Sequence, residues 1–323
     1  MEKNQQTEKL HLTGIIPESS KNQRLDHALA LLFPSYSRSK LKEWLELGYI
    51  QVNGNIKRPK NKVLGGEQIS IEAEIPIVIE WSPEELPLDI LFEDEQILVL
   101  HKPKGFVVHP AVGNRAGTLV NALLHHAPQL AQVPRAGIVH RLDKDTSGLM
   151  VVAKTLEAHT HLVAQLQART VSRTYETVVW GILPAGGTIS TFMGRHPVDR
   201  KRMAVVESGK PAVTHYRVVE KFRCHTHLRI QLETGRTHQI RVHMAHIHHP
   251  IVGDKVYGGR LRVPPKASDA LLKTLREFPR QALHATRLGL VHPITEKEMV
   301  WEISLPIDII QLLDALRIDS KQN

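Results

Sequence analysis

Residues 134–155 read PRAGIVHRLDKDTSGLMVVAKT, and the middle of that run carries more chemistry than a connection between strands needs. Asp143 stands between Arg141 and Lys144, with His140 just before, Asp145 two residues on and Thr-Ser-Gly directly after. A guanidinium beside a carboxylate lowers the acid's pKa by roughly 1–3 units and keeps it ionised. An ionised Asp serves as a nucleophile or a stabiliser of positive charge, and is a poor general acid. The same residues would also make a plain ion pair in a turn, with Asp145 and Thr146 as caps. The flanks predict what positions the loop. AGIVHRLD reads as one strand and the apolar LMVVAKT after Gly148 as a second, buried one, so Asp143 falls in a tight connection at a sheet edge.

Two other places add polar donors. SRTYETVVWG (172–181) sets Tyr175 at the start of a strand, near Arg173, and LETGRTHQIRVHM (232–244) carries Arg236, His238, Gln239 and Arg241 after a turn at Gly235. Long donors of this kind suit phosphates and base edges. The run HQIRVHMAHIHHP packs five histidines but lacks the H-E-x-x-H spacing of a zinc helix, and two arginines beside it would repel a dication. No metal site is expected. Phosphate-loop, dinucleotide and nucleophile-elbow signatures are all missing, and HRLD matches a kinase catalytic loop without the rest of the kinase set.

At 323 residues the chain has room for one large domain and a small one, and its 41% hydrophobic and 23% charged residues suit a soluble globular protein. A single cysteine, Cys224, excludes an internal disulfide framework and fits a reducing cytosol. The start, MEKNQQTEKLHLTG, is polar, and no run approaches the about 18 apolar residues of a membrane span. A cytoplasmic chain with no membrane partner is expected. Its net charge of +9 points to a polyanion. The charge is clustered: residues 21–62 hold nine Lys/Arg against three Asp/Glu, and GRHPVDRKRM (194–203) forms a second basic group. Two separated patches favour a long phosphate-rich ligand over a small metabolite.

Residues 1–20 read as a tail leading into a first strand, 21–75 as a small basic module, 76–88 as a linker, 89–318 as the main domain and 319–323 as a C-terminal tail. In the module, Leu25, Leu29 and Leu32 fall at helical spacing before Pro34. A second helix follows with Ser37 as N-cap, Leu41, Trp44 and Leu45 on one face and Gly48 at its end. Arg38, Lys40 and Lys42 lie on that helix, Asn53-Gly54 marks a hairpin, and Lys57 and Arg58 follow it. The linker segment 75–90 has three prolines, four acids and no base. Beyond it, strands at 96–101, 148–154, 174–181, 212–220 and 226–233 mix with helices at 117–127 and 156–169. The insert 258–281 reads as holding a surface helix, and 306–318 as a closing amphipathic one. The fold class expected is α+β with a mixed or antiparallel sheet, beside a small α/β module.

Three stretches, AGIVHRLDKDTSGLMVVAKT, SRTYETVVWG and LETGRTHQIRVHMAHIHHPIVGDKVYGG, resemble the three signature motifs of the RluA-type pseudouridine synthases, and 21–80 resembles an S4 RNA-binding domain. The resemblance extends over roughly 21–310. It implies a pseudouridine synthase catalytic domain that breaks the N1–C1′ bond of a uridine in RNA, turns the uracil and rejoins it through C5, with no cofactor. Asp143 is the catalytic residue so implied, attacking C6, attacking C1′, or stabilising a sugar cation while a base removes the 2′ proton; the sequence leaves these three routes open. Tyr175 would pack on the target base, Arg236 would pair with Asp143, and Arg141 would fill the space left by the flipped nucleotide. His140, Gln239, Arg241, Arg38, Lys40, Lys42, Lys57, Arg58, Arg195 and Lys201 are the expected RNA contacts. The implied partner is 23S ribosomal RNA or the large subunit, at the helix 69 stem-loop. A monomer is expected, because no interface-like apolar stripe stands out in the sequence. Two other classes compete: a non-enzymatic RNA-binding assembly factor, which has no use for an arginine-paired Asp143, and a glycoside-type hydrolase, which would need a second carboxylate such as Asp145 placed opposite.

Overall fold

Leu25, Ala28 and Leu29, like Leu41, Trp44 and Leu45, recur at the spacing of one helical face, and all six are buried. They form the inner faces of α1 (Leu25–Leu32) and α2 (Arg38–Glu46). The two helices pack with Ile50, Val52, Ile69 and Ile71 from an antiparallel sheet. The computed structural model describes residues 7–34, 36, 38–76, 81–110, 114 and 116–322, in two compact units divided after residue 80.

The smaller unit's sheet comprises β1 (Thr7–Ile15), β2 (Ile50–Val52), β3 (Asn55–Ile56) and β4 (Gln68–Pro76), in the order β1–β4–β2–β3. Asn53 and Gly54, at φ of 50° and 71°, supply the positive-φ pair that a tight hairpin demands. The expected tail over 1–20 is corrected for 7–15, which pairs along the length of β4. Ser37, the expected cap of α2, lies outside the described residues, as do 77–80 of the expected linker. Arg38 donates from Nε and Nη2 to Asp26 at 3.1 and 2.9 Å, clamping α2 onto α1. Lys40 approaches Glu43 at 3.2 Å and lies over the Trp44 ring, and Lys42 sits 3.7 Å from Glu46. Lys57 and Arg58 are exposed just past β3.

Ten strands make the sheet of the larger unit: β5 (Asp89–Glu93), β6 (Ile97–Lys102), β7 (Ser147–Ala153), β8 (Ser172–Trp180), β9 (Gly187–Arg195), β10 (Met203–Val205), β11 (Lys210–Lys221), β12 (His225–Leu232), β13 (Leu283–Val291) and β14 (Glu298–Glu302). Their order is β10–β9–β11–β12–β8–β13–β7–β6–β5, with β14 also on β13. Among the described residues, only β7–β13 is parallel. Among the described residues, five α-helices accompany them: α3 (Leu119–His126), α4 (Leu156–Ala168), α5 (Gln239–His246), α6 (Asp269–Glu277) and α7 (Ile307–Gln322). Leu98, Leu100, Met150 and Val152 enter the main core, while Ile97, Val99, Leu149 and Val151 face a second core with Ala158 and Leu162 of α4. Both faces of β6 and β7 are thus covered, which is why LMVVA is an unbroken apolar run.

Three expectations change here. AGIVHRLD is no strand: Arg135 and Ala136 take left-handed φ of 56° and 50° in a 3-10 turn, and only Ile138 bridges to Val152. Residues 81–88 belong to the larger unit, since Asn121 Nδ2 donates to Ser82 O at 2.7 Å and Glu84 accepts from Gly117 N at 3.1 Å. The C-terminal helix continues to Gln322, through most of the expected tail, and Arg223 holds its buried Asp319. Among the described residues no helix is long and apolar enough to cross a membrane.

Candidate active site

The sheet divides where β7 leaves β13. β13 pairs with β7 at His284 and Ala285, then with β14 from Arg287 onward, while β8 runs along its other edge. The segment 139–146 enters this division, and its backbone is tied from behind. Thr146 N donates to Asp143 O at 3.1 Å, closing a turn. Lys102 Nζ, fully buried, donates to Lys144 O at 3.0 Å as well as to Pro103 O and Phe106 O. Arg280 Nη1 donates to Asp145 O at 3.2 Å, Gln281 Nε2 to Thr146 Oγ1 at 3.1 Å, and Ser147 Oγ meets His284 Nδ1 at 2.8 Å. Burial pushes Lys102 down to about 7, against the pull of Asp145 and Asp143. With positions 144–147 held in this way, Asp143 is turned into a cleft of about 830 Å³.

Arg241 is the guanidinium on Asp143: its Nη1 donates to Asp143 Oδ2 at 3.0 Å. Its Nε and Nη2 grip Asp254 at 2.7 and 2.8 Å, and Asp254 Oδ1 also accepts from the backbone of Val256 and Tyr257. Burial opposes the charge on Arg241, but Asp254 and then Asp143 outweigh it and raise its pKa. The pairing expected for Arg236 is therefore corrected. Arg236 directs Nε to Pro211 O at 3.0 Å, and it lines the same cleft. Arg241 leaves the expected RNA contacts, because it is buried and all of its donor atoms Nε, Nη1 and Nη2 meet carboxylates.

Gln239 also leaves them. It is buried, its Oε1 accepts from Thr234 Oγ1 and Arg236 N, and its Nε2 donates to Val213 O and Thr214 Oγ1, so it pins the 234–239 turn to β11. His140 is pushed down to about 3 by burial, and its Nε2 accepts from Val151 N at 3.1 Å. It is a neutral brace for the loop and not a cation for phosphate. Two histidines of 238–250 are held by neutral partners: His243 lies between Thr214 and Thr191, and His249 meets Trp180 O.

Tyr175, in β8 between Ile230 and Ala285 on its neighbours, is 6% exposed and lines the cleft with Asp143. Burial raises its phenol, so it is a neutral surface at physiological pH. Arg141 is exposed on the cleft wall. Arg195 Nη1 donates to Arg200 O at 3.1 Å and Lys201 is exposed, both at the β9–β10 turn. Asp254, Tyr257, Lys102 and Arg280 escape a reading of the sequence for chemistry. The first two lie in GDKVYGG, whose Gly-Asp start was the available signal; nothing in the local pattern marks the buried cations.

A mixed sheet that divides around an arginine-held aspartate, with arginines lining the cleft beside it, suits chemistry on a polyanion. The pattern of the RNA pseudouridylate synthase family matches residues 96–246, and that of the S4 domain matches 23–69. The chain is 60% identical over 304 residues to the ribosomal large subunit pseudouridine synthase D of Pseudomonas aeruginosa, covering 94% of this chain and 95% of that one. It is 56% identical over 317 residues to the protein of the same name from Escherichia coli strain K12, covering 98% and 97%. The solved structure of human RNA pseudouridylate synthase domain containing 4 superimposes with a TM-score of 0.55 at 27% identity, over 71% of this chain and 93% of that one. This chain belongs to the RNA pseudouridylate synthase family and carries an S4 domain. It is an isomerase that converts uridine in RNA to pseudouridine.

Proposed function

We propose that this enzyme modifies uridines of 23S ribosomal RNA in the large subunit, at the helix 69 stem-loop, with Asp143 as the reacting carboxylate. The observation that carries the reading is the Arg241–Asp143 contact at 3.0 Å, inside a cleft large enough for a nucleotide. The names of the 56–60% identical relatives support the ribosomal substrate.

A stacked uridine hides both C1′ and C5, so it has to leave the stack, at a cost of about a few kcal/mol. Tyr175 offers the extruded base a flat apolar face, and Arg141 stands at the rim to occupy the vacated space. Arg241 holds Oδ2 and leaves Oδ1 for the sugar or ring atom. A permanently charged partner keeps the carboxylate ionised as a bond forms or a cation develops. Arg236, Arg195, Lys201, Lys57, Arg58 and the S4 helix α2 supply phosphate contacts that offset the cost of extrusion. The bond broken and the bond formed are of equal order and nothing is oxidised, so the reaction needs no cofactor; the protein is read as a monomer in the cytoplasm.

The test is pseudouridine mapping, by carbodiimide adducts and primer extension, on 23S rRNA from cells lacking the gene. Complementation with the wild type should restore adducts in helix 69, and complementation with Asp143→Asn should not. Adducts restored only elsewhere in the rRNA would refute the helix 69 assignment, and adducts restored by Asp143→Asn would refute the assigned carboxylate.

A further inference from the structure

Beside the reacting carboxylate, His238 Nε2 makes no hydrogen bond among the described residues. His238 Nε2 stands 3.8 Å from Asp143 Oδ1, too far for a hydrogen bond, on the oxygen that Arg241 does not touch. The other ring nitrogen is engaged: Nδ1 lies 2.8 Å from the hydroxyl of Tyr257. That hydroxyl oxygen accepts Met203 N–H at 3.0 Å. His238 Nδ1 is the acceptor placed to take the hydroxyl proton, and a neutral imidazole that accepts at Nδ1 carries its own proton on Nε2. Tyr257 is held in turn by its surroundings. Arg202 and Arg241 lie over its ring at 5.2 and 5.0 Å, and its backbone N–H is bound by Asp254, the carboxylate that anchors Arg241. Burial raises the Tyr257 phenol, which keeps its proton, and lowers His238, which stays neutral. His238 itself sits in the left-handed region at φ 57°, directly before α5, so its backbone is fixed by the same turn that Gln239 pins.

We propose that His238 is a further catalytic residue of this enzyme, donating a hydrogen bond from Nε2–H to the uracil as it parts from the ribose, with Tyr257 as the positioning residue that fixes its tautomer. An atom that reacts at Oδ1 approaches to about 3 Å, which brings its neighbours within reach of Nε2; catalytic hydrogen bonds are commonly long in the empty site and close in the complex. When the N1–C1′ bond breaks, its electron pair leaves with the base, and negative charge spreads to the ring oxygens. A preorganised neutral N–H at that charge lowers the barrier, and its proton stays on Nε2 throughout. The inference rests on the reading of Asp143 as the reacting carboxylate.

The experiment is single-turnover tritium release from 5-³H-uridine 23S rRNA at saturating enzyme, alongside RNA affinity and Tm, for the full-length wild type and variants. His238→Ala should slow the rate about 100-fold with RNA affinity unchanged. His238→Gln, whose side-chain amide reaches the place of Nε2, should recover most of that loss. Tyr257→Phe should slow turnover about tenfold, and the double variant His238→Ala/Tyr257→Phe should be no slower than His238→Ala, because Tyr257 acts through His238. Equal losses in His238→Ala and His238→Gln at unchanged Tm, or additive losses in the double variant, would overturn the proposal. If His238→Ala does not fold, Tyr257→Phe decides: a wild-type rate overturns it. Asp143→Asn is run beside them. Turnover retained there defeats the reading of Asp143, whereas a dead Asp143→Asn with an unaffected His238→Ala defeats only this inference.

Discussion

Arg241 reaches Asp143 with a single nitrogen, Nη1 at 3.0 Å, while its other two donor atoms are fixed on Asp254. Asp254 thus sets where the guanidinium points, and the guanidinium sets which oxygen of Asp143 is free. Replacing Arg241 by Met leaves two carboxylates without their partner, one of them almost fully buried. Loss of about 3–5 kcal/mol of stability is expected, with turnover near background. Arg236→Ala should keep the wild-type Tm and lose mainly RNA affinity. Thermal melts and single-turnover rates on the two variants check this; the reverse ranking would restore the pairing to Arg236.

Gly148 follows the turn that carries Asp143, at φ +126°, and a Cβ there would lie 2.4 Å from both the N and the O of Ala285. Gly148–Ala285 is one of the two pairs that join β7 and β13 in parallel, and the atoms met are backbone, so no flexible side chain can yield. Gly148→Ala should cost about 2–3 kcal/mol or more and displace the loop that carries Asp143. A variant with wild-type stability and rate would show that the close approach is dispensable.

Stability should carry an acid limb from Asp308. Burial alone would raise its carboxyl, but hydrogen bonds from Arg280 and Lys104 outweigh that and hold it at about 2, below the ordinary 3.8. A folded value below the unfolded one stabilises the protein above about pH 4, and the contribution is lost as pH falls toward 2. Asp308→Asn should lower stability at pH 7 by roughly 1–2 kcal/mol, allowing for solvent screening. Denaturant titrations from pH 7 down should show the gap closing. A gap that stays constant to pH 2 would mean that charge plays no part in it. Because Arg280 also holds Asp145 O, the same variant should turn over more slowly.

The exposed pair Lys57 and Arg58 tests the electrostatic share of binding by the S4 unit. Changing both to Ala should weaken RNA binding across sequences and reduce the slope of log K against log salt by about 1.5–2. Rates at saturating RNA should be unchanged. A slope equal to wild type would place these side chains off the RNA.

Much of this architecture was legible in the chain. Leu25, Leu29, Leu41, Trp44 and Leu45 marked two helix faces, Asn53-Gly54 marked a hairpin, and LMVVA marked a strand covered on both sides. The turn with Asp143 at its head was equally plain. What the sequence did not disclose was which arginine meets that carboxylate. Arg236 and Arg241 are five residues apart, and the choice depends on the phase of α5, where buried Arg241 and His243 stand among apolar neighbours and blur the helical period. His140 and Gln239 looked like donors for RNA because their partners, Val151 N and the backbone of β11, come from remote parts of the sheet. The strand expected over 136–143 failed at Arg135 and Ala136, whose left-handed backbone has no signature in residue type. β1 did leave a sign, the alternation of Leu10 and Leu12 with exposed His11 and Thr13, within a stretch that its polar start made look like a tail.

The most direct test is tritium release from 5-³H-uridine 23S rRNA, comparing wild type with Asp143→Asn under identical single-turnover conditions. Forming the C5–C1′ bond expels the C5 hydrogen, so the account predicts release by the wild type and none above background by the variant, with both binding the RNA alike. Release by Asp143→Asn at a rate near wild type would contradict the assignment of Asp143 as the reacting carboxylate.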